Sequence, residues 1–416
     1  MKVLLVNPNR YQHPPVPPIG LEYIAGVLEA AGDQTQIADL CFSADPLRDL
    51  DTAITSFNPD AVGITVRNVD TVLFQANEFF LTEIKALITH IRERYGLKVL
   101  VGGAGASAGP EFVRDFLGAD SIISGPGEGV VREVFGGLSS ANTNKVHFGS
   151  RAVASACPRH SMGIDYQQYA EKGGIAGFET HRGCSSSCIY CVEADTRVSF
   201  RKIPEVLAGI QQLHAGGMDR FHLCDPEFNE DLDFSLEFLR ALKESRIKID
   251  WAVYMKPANQ NRRLFQLMKE AGVSLITLTV DSWKKCPLYW TEIEKIIFSA
   301  RSNGIKIVVD FLTGFPYEDD ETLNFYLDLF RRLRPDSVGI NTYIRLYANL
   351  KVTEIIMKDA DLKERLLGAV EDKTFLLPVF YNHIGPERLS GLLDNDPLFR
   401  VEGLDKAVNY TRTAGN

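Results

Sequence analysis

The stretch His181-Arg182-Gly183-Cys184-Ser185-Ser186-Ser187-Cys188-Ile189-Tyr190-Cys191 contains three of the seven cysteines of this 416-residue chain. Their spacing is C-x3-C-x2-C, and thiolates at such intervals can converge on one soft metal centre if the backbone between them turns tightly. Gly183 and the three serines permit that turn. Four thiolates would saturate a cubane iron–sulfur cluster, whereas three leave one iron open to a substrate or cofactor.

Other interpretations of the cysteines remain open on the residues alone. A zinc ion would need a fourth ligand, for which His181 is near enough in sequence, but no second ligand pair with C-x2-C or H-x3-5-H spacing follows. Cys224 is a further candidate for a fourth cluster ligand, although free cysteines are more often buried as small apolar residues. We favour the iron–sulfur cluster with one open iron.

The composition is that of a globular protein, with 45% hydrophobic and 24% charged residues and a net charge of −9. The length predicts two or three domains. The acidic balance argues against a nucleic-acid-binding surface. The N-terminus lacks a secretory signal pattern, and no apolar run approaches the ~18 residues of a membrane span. We therefore expect a cytoplasmic protein without nucleic-acid or membrane partners, in a compartment that keeps thiols reduced.

Residues 1–137 alternate short apolar runs with helical patterns, which predicts an α/β fold with a doubly wound parallel sheet. The predicted strands are Lys2–Val6, Gln34–Ala38, Ala61–Thr65, Lys98–Val101 and Ser121–Ser124, and the predicted helices are Leu21–Ala31, Pro46–Ser56, Ala76–Tyr95 and Glu111–Leu117. Ligands of such sheets bind at the carboxyl ends of the strands. The residues that follow the strands are therefore the candidate binding residues of this domain.

Glycine, proline and polar residues occupy those positions. They are Pro18, Gly20, Arg67, Asn68, Gly102, Gly103, Ser107, Gly125 and Glu128. Glycines there let backbone amides approach a large, flat or phosphorylated ligand. Taken alone, glycine-rich loops are equally compatible with plain tight turns, and Arg67 with a surface salt bridge.

Strand and helix alternate again in residues 173–348, after a polar, small-residue-rich stretch at 138–172 that indicates a linker. The predicted strands are Ile175–Thr180, Arg220–Leu223, Lys248–Ala252, Ser274–Thr279, Lys306–Phe311 and Ser337–Ile340, and the helices are Ile203–Leu213, Phe234–Lys243, Arg262–Ala271, Thr291–Ser302 and Asp320–Leu333. Six βα units predict a partial barrel with its chemistry at the strand carboxyl ends. Residues 349–416 are expected to close the barrel mouth as a substrate-capping region, with His383 in a structural role.

The cysteine spacing, with Tyr190 directly before the third cysteine, resembles the radical S-adenosylmethionine (SAM) superfamily, and residues 1–137 resemble the cobalamin (B12)-binding domain that precedes many such barrels. The resemblance implies three cofactors: a [4Fe-4S] cluster held by Cys184, Cys188 and Cys191, together with SAM and cobalamin. The residues that it implies for SAM are Tyr190, Asp225, Asp281, Ser282, Gly314, Pro316 and Arg345, although Arg345 is equally suited to pair with a carboxylate.

For cobalamin, the resemblance implies the nine strand-end residues of the first domain. The D-x-H-x-x-G motif, whose histidine binds cobalt in better-known cobalamin proteins, is absent from this chain. We therefore expect cobalamin with its nucleotide base detached from cobalt and no strong protein ligand below the metal. By the same resemblance, Arg67 is expected near the lower face, where a cation disfavours axial ligation.

The resemblance further implies a C-methyltransferase. In this family SAM is cleaved to a 5'-deoxyadenosyl radical, which removes hydrogen from an unactivated carbon, and the substrate then takes a methyl group from methylcobalamin. An electron donor such as ferredoxin or flavodoxin is the implied partner. The substrate remains open between a protein side chain, for example a glutamine of methyl-coenzyme M reductase, and a small natural-product precursor. A protein substrate predicts an open barrel mouth with a groove, and a small molecule predicts a closed one.

Three alternative functions differ in their sequence requirements. A B12-dependent radical SAM cyclase or rearrangement enzyme would use the same cofactors and remains open. A methylthiotransferase would need three further cluster cysteines in its first domain, but Cys41 is the single cysteine of residues 1–137. A cobalamin or redox sensor would need an output module, and the sequence contains no recognisable one.

Overall fold

Six parallel strands form the sheet of the first domain in the computed structural model, which describes residues 1–138, 145–154, 159 and 163–402. The strands are β1 (Lys2–Asn7), β2 (Gln34–Asp39), β3 (Ala61–Thr65), β4 (Lys98–Gly102), β5 (Ser121–Ser124) and β6 (Lys145–Phe148), in the order β2-β1-β3-β4-β5-β6. The helices are α1 (Ile19–Ala30), α2 (Pro46–Phe57), α3 (Leu81–Tyr95), α4 (Pro110–Leu117) and α5 (Val131–Gly137). The predicted doubly wound sheet is confirmed, with its strand order reversing at β1.

Two features of this domain differ from the prediction. Strand β6 lies in the predicted linker, where it pairs in parallel with β5 from Ser121↔Lys145 to Ser124↔Phe148. As an edge strand it has no fully buried side chain, so its sequence lacks the apolar run of the inner strands. Helix α3 begins at Leu81 rather than Ala76, because the Phe80 amide donates to the Val69 carbonyl and holds the preceding residues in a loop. Cys157 of the predicted linker lies outside the described residues.

A second parallel sheet follows the short helices α6 (Arg151–Ala154) and α7 (Tyr166–Glu171). Its region contains β7 (Ala176–Phe178), β8 (His181–Arg182), β9 (Ser199–Phe200), β10 (Arg220–Leu223), β11 (Asp250–Met255), β12 (Val273–Asp281), β13 (Lys306–Leu312) and β14 (Ser337–Asn341). The helices between them are α8 (Ile203–Ala215), α9 (Leu232–Glu244), α10 (Arg262–Glu270), α11 (Pro287–Ser302) and α12 (Asp320–Leu333). The six predicted βα strands are present, so the predicted partial barrel is confirmed.

The C-terminal region adds α13 (Lys351–Lys358), α14 (Ala360–Lys363), α15 (Pro386–Leu393) and the strands β15 (Ile344–Arg345), β16 (Leu366–Gly368), β17 (Val379–Tyr381) and β18 (Phe399–Val401). Strand β18 pairs with β14 and becomes a seventh barrel strand, which gives the order β18-β14-β13-β12-β11-β10-β7. Three residues are too few for a recognisable strand pattern, which is why the sequence did not predict it. Strands β15, β17 and β16 form a small antiparallel sheet.

The first barrel strand ends at Phe178, two residues earlier than predicted. Beyond it, the backbone amides of Thr180 and His181 donate to the Asp225 carboxylate at 2.7 and 3.3 Å instead of continuing a strand ladder. The Thr180 hydroxyl donates to the same carboxylate. Asp225 therefore turns the chain at the point where it leaves β7 for the cysteine stretch.

Contacts across the domain interface bring the carboxyl ends of the two sheets together. Arg345, after β14, donates through Nε to the buried Asp70 carboxylate after β3 at 2.8 Å. Phe74 from the same first-domain loop stacks on Tyr343 with ring centroids 4.6 Å apart. Tyr169 donates to Asp39 at the end of β2 at 2.8 Å. The loops that the sequence analysis assigned to ligand binding thus face one another. No helix in the described part of the chain is both long and apolar enough to cross a membrane.

Replacing Arg345 by methionine is expected to destabilise the protein strongly. The Asp70 side chain is fully buried, and removing its cation leaves an uncompensated charge, which costs about 3–5 kcal/mol. Equilibrium denaturation of the apoprotein measures the loss. Lys351→Met is the matched control, because Lys351 pairs with Glu354 on the surface and its loss changes stability little. An equal loss of unfolding free energy in R345M and K351M would contradict a stabilising role for the buried Arg345–Asp70 pair.

Candidate active site between the two sheets

The cysteine stretch forms a loop closed by the two-stranded pair β8 and β9. Gly183 stands at its start with φ of +90°, and a Cβ there would lie 2.1 Å from the Arg197 carbonyl oxygen. The Cys184 amide donates to Thr196 Oγ1 at 3.0 Å, and the Thr196 amide donates to the Cys184 carbonyl at 3.0 Å. These contacts require the close approach of the two loop stems that glycine allows.

The three thiols of the loop lie near enough to influence one another electrostatically. Cys184 is buried, whereas Cys188 and Cys191 are partly exposed. Burial raises the pKa of Cys191, and the nearby Cys184 raises it further, while Cys191 in turn raises the pKa of Cys188. Among the described residues, no three Cys, His, Asp or Glu side chains come close enough to bind one metal ion. The three thiols of the loop stay the predicted ligands of a cubane cluster with one open iron.

The two candidates for a fourth ligand, His181 and Cys224, lie beside charged side chains of the barrel. His181 is almost fully buried, and its Nδ1 lies 2.9 Å from Asp225 Oδ2. Cys224, at the end of β10, has Glu179, Asp225, Arg159 and Arg67 as its charged neighbours. The three loop cysteines therefore stay the predicted ligands of the centre.

Tyr190, Asp281 and Lys284 surround the Cys188 thiol. Tyr190 donates its hydroxyl to Asp281 Oδ1 at 2.6 Å, and the Lys284 ammonium lies 2.8 Å from Asp281 Oδ2. Cys188 Sγ is 3.7 Å from both Asp281 Oδ2 and Lys284 Nζ. Burial raises the pKa of the Cys188 thiol to about 12; Asp281 adds to this increase and Lys284 opposes it. Sequence reasoning missed Lys284, since a lysine three residues after a strand-end aspartate is a common surface pattern.

The loop after β13 brings Gly314, Pro316 and Glu318 to the same end of the barrel. Gly314 has φ of +86°, and a Cβ there would lie 2.2 Å from the Thr342 carbonyl oxygen. Glu318 Oε2 accepts from the Thr313 hydroxyl at 2.7 Å and from the Gly314 amide at 2.5 Å. Burial raises the pKa of Glu318, and the neighbouring Ser282 hydroxyl lowers it. Glu318 was not among the predicted residues, although the G-x-P-x-E pattern contains it.

Several buried polar atoms at these strand ends have no hydrogen-bond partner within the described part of the chain. They include Glu227 Oε2 after β10, Trp283 Nε1 after β12 and Glu318 Oε1 after β13. Burial also raises the pKa of Glu227 to about 8. Buried polar atoms are normally paired, so unpaired ones around one opening fit a polar ligand such as SAM. Glu227 and Trp283 carried no sequence signal beyond their positions after strands.

Two further residues predicted for SAM also make contacts within the protein. Asp225 binds the chain after β7, as described above. The Arg345 guanidinium donates to Asp70, to the Phe375 carbonyl at 3.1 Å and to the Leu376 carbonyl at 2.8 Å. For Arg345, the structure shows the alternative role of pairing with a carboxylate.

The predicted cobalamin residues lie along the carboxyl edge of the first sheet. Gly103 has φ of +102°, and a Cβ there would lie 2.5 Å from the Val66 carbonyl oxygen. The Ser107 hydroxyl accepts from the Gly125 amide at 2.8 Å, which joins the loops after β4 and β5. Glu128 instead pairs with Arg182 of the cysteine stretch at 2.6 Å. The others are Pro18 and Gly20 at the start of α1, Arg67 and Asn68 after β3, and Gly102 at the end of β4. This backbone edge, glycine-rich and closely packed, fits a large flat ligand.

Arg67 faces the end of β10 across a recess between the sheets. Arg67 and Cys224 are exposed and His222 is partly exposed, yet burial dominates the pKa values of the two barrel side chains. It raises that of Cys224 to about 12, and, together with Arg67, it lowers that of His222 to about 4.

Gly183→Ala is expected to prevent cluster assembly, because its Cβ has no space beside the Arg197 carbonyl and a left-handed φ strains any L side chain. Iron and sulfide content after anaerobic reconstitution measures the effect, with a loss of more than about half expected. Gly209→Ala is the control, since a Cβ at that position in α8 meets no atom within 4 Å. A fully loaded G183A variant would contradict the tight-turn requirement.

His222 is expected to remain neutral between pH 5 and 8, and Arg67→Met should raise its pKa towards the usual value. The physical reason is that the guanidinium charge disfavours the imidazolium form. Nitrogen-15 spectra of histidine rings in the apoprotein, assigned with His222→Gln, report the titration. Arg94→Met, which removes an exposed cation on α3, should leave His222 unchanged. An identical His222 titration in R67M and the wild-type protein would show that the Arg67 charge does not act on His222.

Two family models match this chain, one for each sheet. The B12 binding domain model matches residues 13–135, and the Radical SAM superfamily model matches residues 178–330. The first covers the strands β2 to β5 with the loops assigned to cobalamin. The second begins at the end of β7, contains the cysteine stretch and ends within α12.

Two curated relatives of this chain are methyltransferases. The chain is 24% identical to the tryptophan 2-C-methyltransferase of Streptomyces laurentii, over 86% of this chain and 75% of the relative. It is also 24% identical to the cytidylyl-2-hydroxyethylphosphonate methyltransferase of Streptomyces wedmorensis, over 76% of this chain and 73% of the relative.

The fold matches a solved structure over nearly its whole length. The radical SAM methyltransferase TsrM from Kitasatospora setae, solved with cobalamin and a [4Fe-4S] cluster bound, aligns with a TM-score of 0.84 and 23% identity, covering 98% of this chain and 93% of TsrM. This chain therefore combines a B12-binding domain with a radical SAM domain, and the relatives that it resembles are cobalamin-dependent radical SAM methyltransferases.

Proposed function

We propose that this enzyme transfers a methyl group to a carbon atom of a small organic molecule bound in the recess between the two sheets. The observation that carries the proposal is that the first domain and the C-terminal region both contact the segments at the strand ends of the barrel. A protein side chain would need an open mouth with a groove for the neighbouring backbone, whereas here the first domain and the C-terminal region both lie over the strand ends. The names of the curated relatives also point to small-molecule substrates.

The closure rests on contacts between segments that are far apart in the chain. Phe74 of the first domain stacks on Tyr343 and packs edge-on against Phe380, with ring centroids 4.6 and 5.4 Å apart. Leu376 of the C-terminal region packs into the core of the first domain. The Val352 amide donates to the carbonyl of Ile189 in the cysteine stretch at 2.9 Å. These contacts join the first domain, the cysteine stretch and the C-terminal region around the strand ends, an arrangement that favours a ligand small enough to fit between them.

When bound, the cofactors supply one-electron cleavage of SAM and a cobalt-bound methyl carrier. The residues of this chain hold and orient them. The thiols of the cysteine loop bind iron, and Asp281, held by Tyr190 and Lys284, offers a carboxylate to the cationic amino group of SAM. The loop around Gly314 and Glu318 offers backbone and carboxylate acceptors to the nucleoside. On the opposite side, Arg67 and Asn68 face the recess from the cobalamin edge.

The test is a cofactor and turnover assay on anaerobically reconstituted protein given hydroxocobalamin, a chemical reductant and SAM with a labelled methyl group. Bound cobalamin is expected at about one equivalent, and an extract of small metabolites should yield a labelled product together with 5'-deoxyadenosine and S-adenosylhomocysteine. Cys188→Ala should abolish 5'-deoxyadenosine formation, whereas Cys286→Ala, which removes an exposed thiol outside the loop, should not.

Different outcomes separate the alternatives. Label incorporated into protein, for example into a glutamine of methyl-coenzyme M reductase supplied as substrate, and not into small metabolites would refute the small-molecule proposal. Formation of 5'-deoxyadenosine without S-adenosylhomocysteine and without methylated product would favour a cyclase or rearrangement enzyme. Ferredoxin and flavodoxin can each replace the chemical reductant in the same assay, which tests the expected electron-donor partner.

A further inference from the structure

Lys284 lies against a cysteine that is assigned to the cluster. Its ammonium is 3.7 Å from Cys188 Sγ and 2.8 Å from Asp281 Oδ2. The same ammonium lies over the rings of Trp283 and Tyr289, 5.6 and 5.2 Å from their centroids. About a quarter of the side chain is accessible, 27%. The carboxylate and the two rings therefore hold this cation beside the sulfur.

A hydrogen bond or a cation at a ligand sulfur changes the electron affinity of an iron–sulfur cluster. Reduction adds one negative charge to the cluster, so a nearby cation or N–H donor stabilises the reduced form more than the oxidised form. A nearby carboxylate has the opposite effect, because its charge repels the added electron. Cys188 has one group of each kind at the same distance.

Iron binding changes the balance between these two groups. A thiol at Cys188 can donate a hydrogen bond to Asp281, as the structure shows, but a thiolate bound to iron has no proton with which to form one. The Asp281 carboxylate then faces a negatively charged sulfur. The Lys284 ammonium is a hydrogen-bond donor in both situations, and its attraction to the sulfur offsets the repulsion from Asp281.

We propose that Lys284 is a positioning residue that raises the reduction potential of the cluster by donating a hydrogen bond to the Cys188 sulfur and neutralising Asp281. The electron would then enter the cluster from a weaker donor than the carboxylate alone would allow. The inference concerns the protein with its cluster but without SAM, and it does not depend on the identity of the substrate. Its failure would leave the proposed function untouched.

The experiment is an electrochemical titration of the reconstituted cluster, without SAM and without cobalamin, followed by electron paramagnetic resonance of the reduced form. At the midpoint potential of the wild-type protein, Lys284→Met is expected to lower the ratio of reduced to oxidised cluster about 3- to 10-fold, a range discounted for partial solvent exposure. Lys284→Arg, which keeps a cationic donor, should change the ratio by less than about twofold.

Lys285→Met is the matched control. Lys285 is the neighbouring residue, but its ammonium pairs with Asp319 at 2.7 Å and half of its side chain is exposed. Removing it changes the net charge of the protein by the same amount at a site where solvent screens the charge. A shift in K285M equal to that in K284M would overturn the proposal, because it would reduce the effect to net charge. An unchanged potential in K284M would overturn it as well.

Asp281→Asn tests the other half of the pair and remains informative if K284M fails to assemble a cluster. Removal of the carboxylate should raise the reduction potential, and the double variant D281N/K284M should lie between the two single variants. A potential in D281N that is equal to or lower than that of the wild type would contradict the inference. Iron content and the thermal unfolding midpoint of each variant separate these effects from loss of the cluster or of the fold.

Discussion

The contact on which the site depends is the buried pair of Arg345 and Asp70, which are 275 residues apart in the chain. Asp70 follows a strand of the first sheet, and Arg345 follows a strand of the second. The same guanidinium also binds the carbonyls of Phe375 and Leu376 in the C-terminal region. The Arg345 side chain therefore joins the two sheets and the C-terminal region. It also holds the carboxyl ends of the two sheets at a fixed distance from each other, and the cofactors must fit between them. A buried ion pair of this kind contributes more to the relative position of the two domains than to the free energy of unfolding, because desolvation offsets much of the attraction between the charges.

Local patterns predicted much of the fold and the centre of the site. The inner strands are continuous apolar runs because both of their faces are covered. Such a run can be predicted from its own residues, without knowledge of the neighbouring strands. The cysteine spacing is equally local, since all three thiols lie on one loop whose turn requires Gly183. Edge strands lack these signals. Strand β6 is only partly buried, and β18 is three residues long, so neither could be distinguished from a linker or a tail.

The roles of single polar residues were harder to predict, because a role depends on the partner. Asp225 has the position expected of a SAM residue, but its partners lie 44 and 45 residues earlier, where they turn the chain towards the cysteines. Arg345 fits an anionic ligand equally well by residue type. In contrast, Glu318 and Lys284 gain their importance from neighbours that are close in space: the Gly314 amide in one case and the Cys188 sulfur in the other. The sequence position of such a residue predicts the edge of the sheet at which it lies. Its role follows only from its contacts in the folded protein.

Strand β18 has a consequence for the biosynthesis of the enzyme. It completes one side of the barrel sheet by pairing with β14, yet it leaves the ribosome about 200 residues after the cysteine stretch. At translation rates of about 5–20 residues per second, the cysteine loop is exposed for roughly 10–40 seconds before the barrel can close. The first domain is finished early and can fold during this interval, so it provides a surface on which the nascent barrel assembles. The three thiols are thus synthesised well before the strand that completes this side of the barrel sheet.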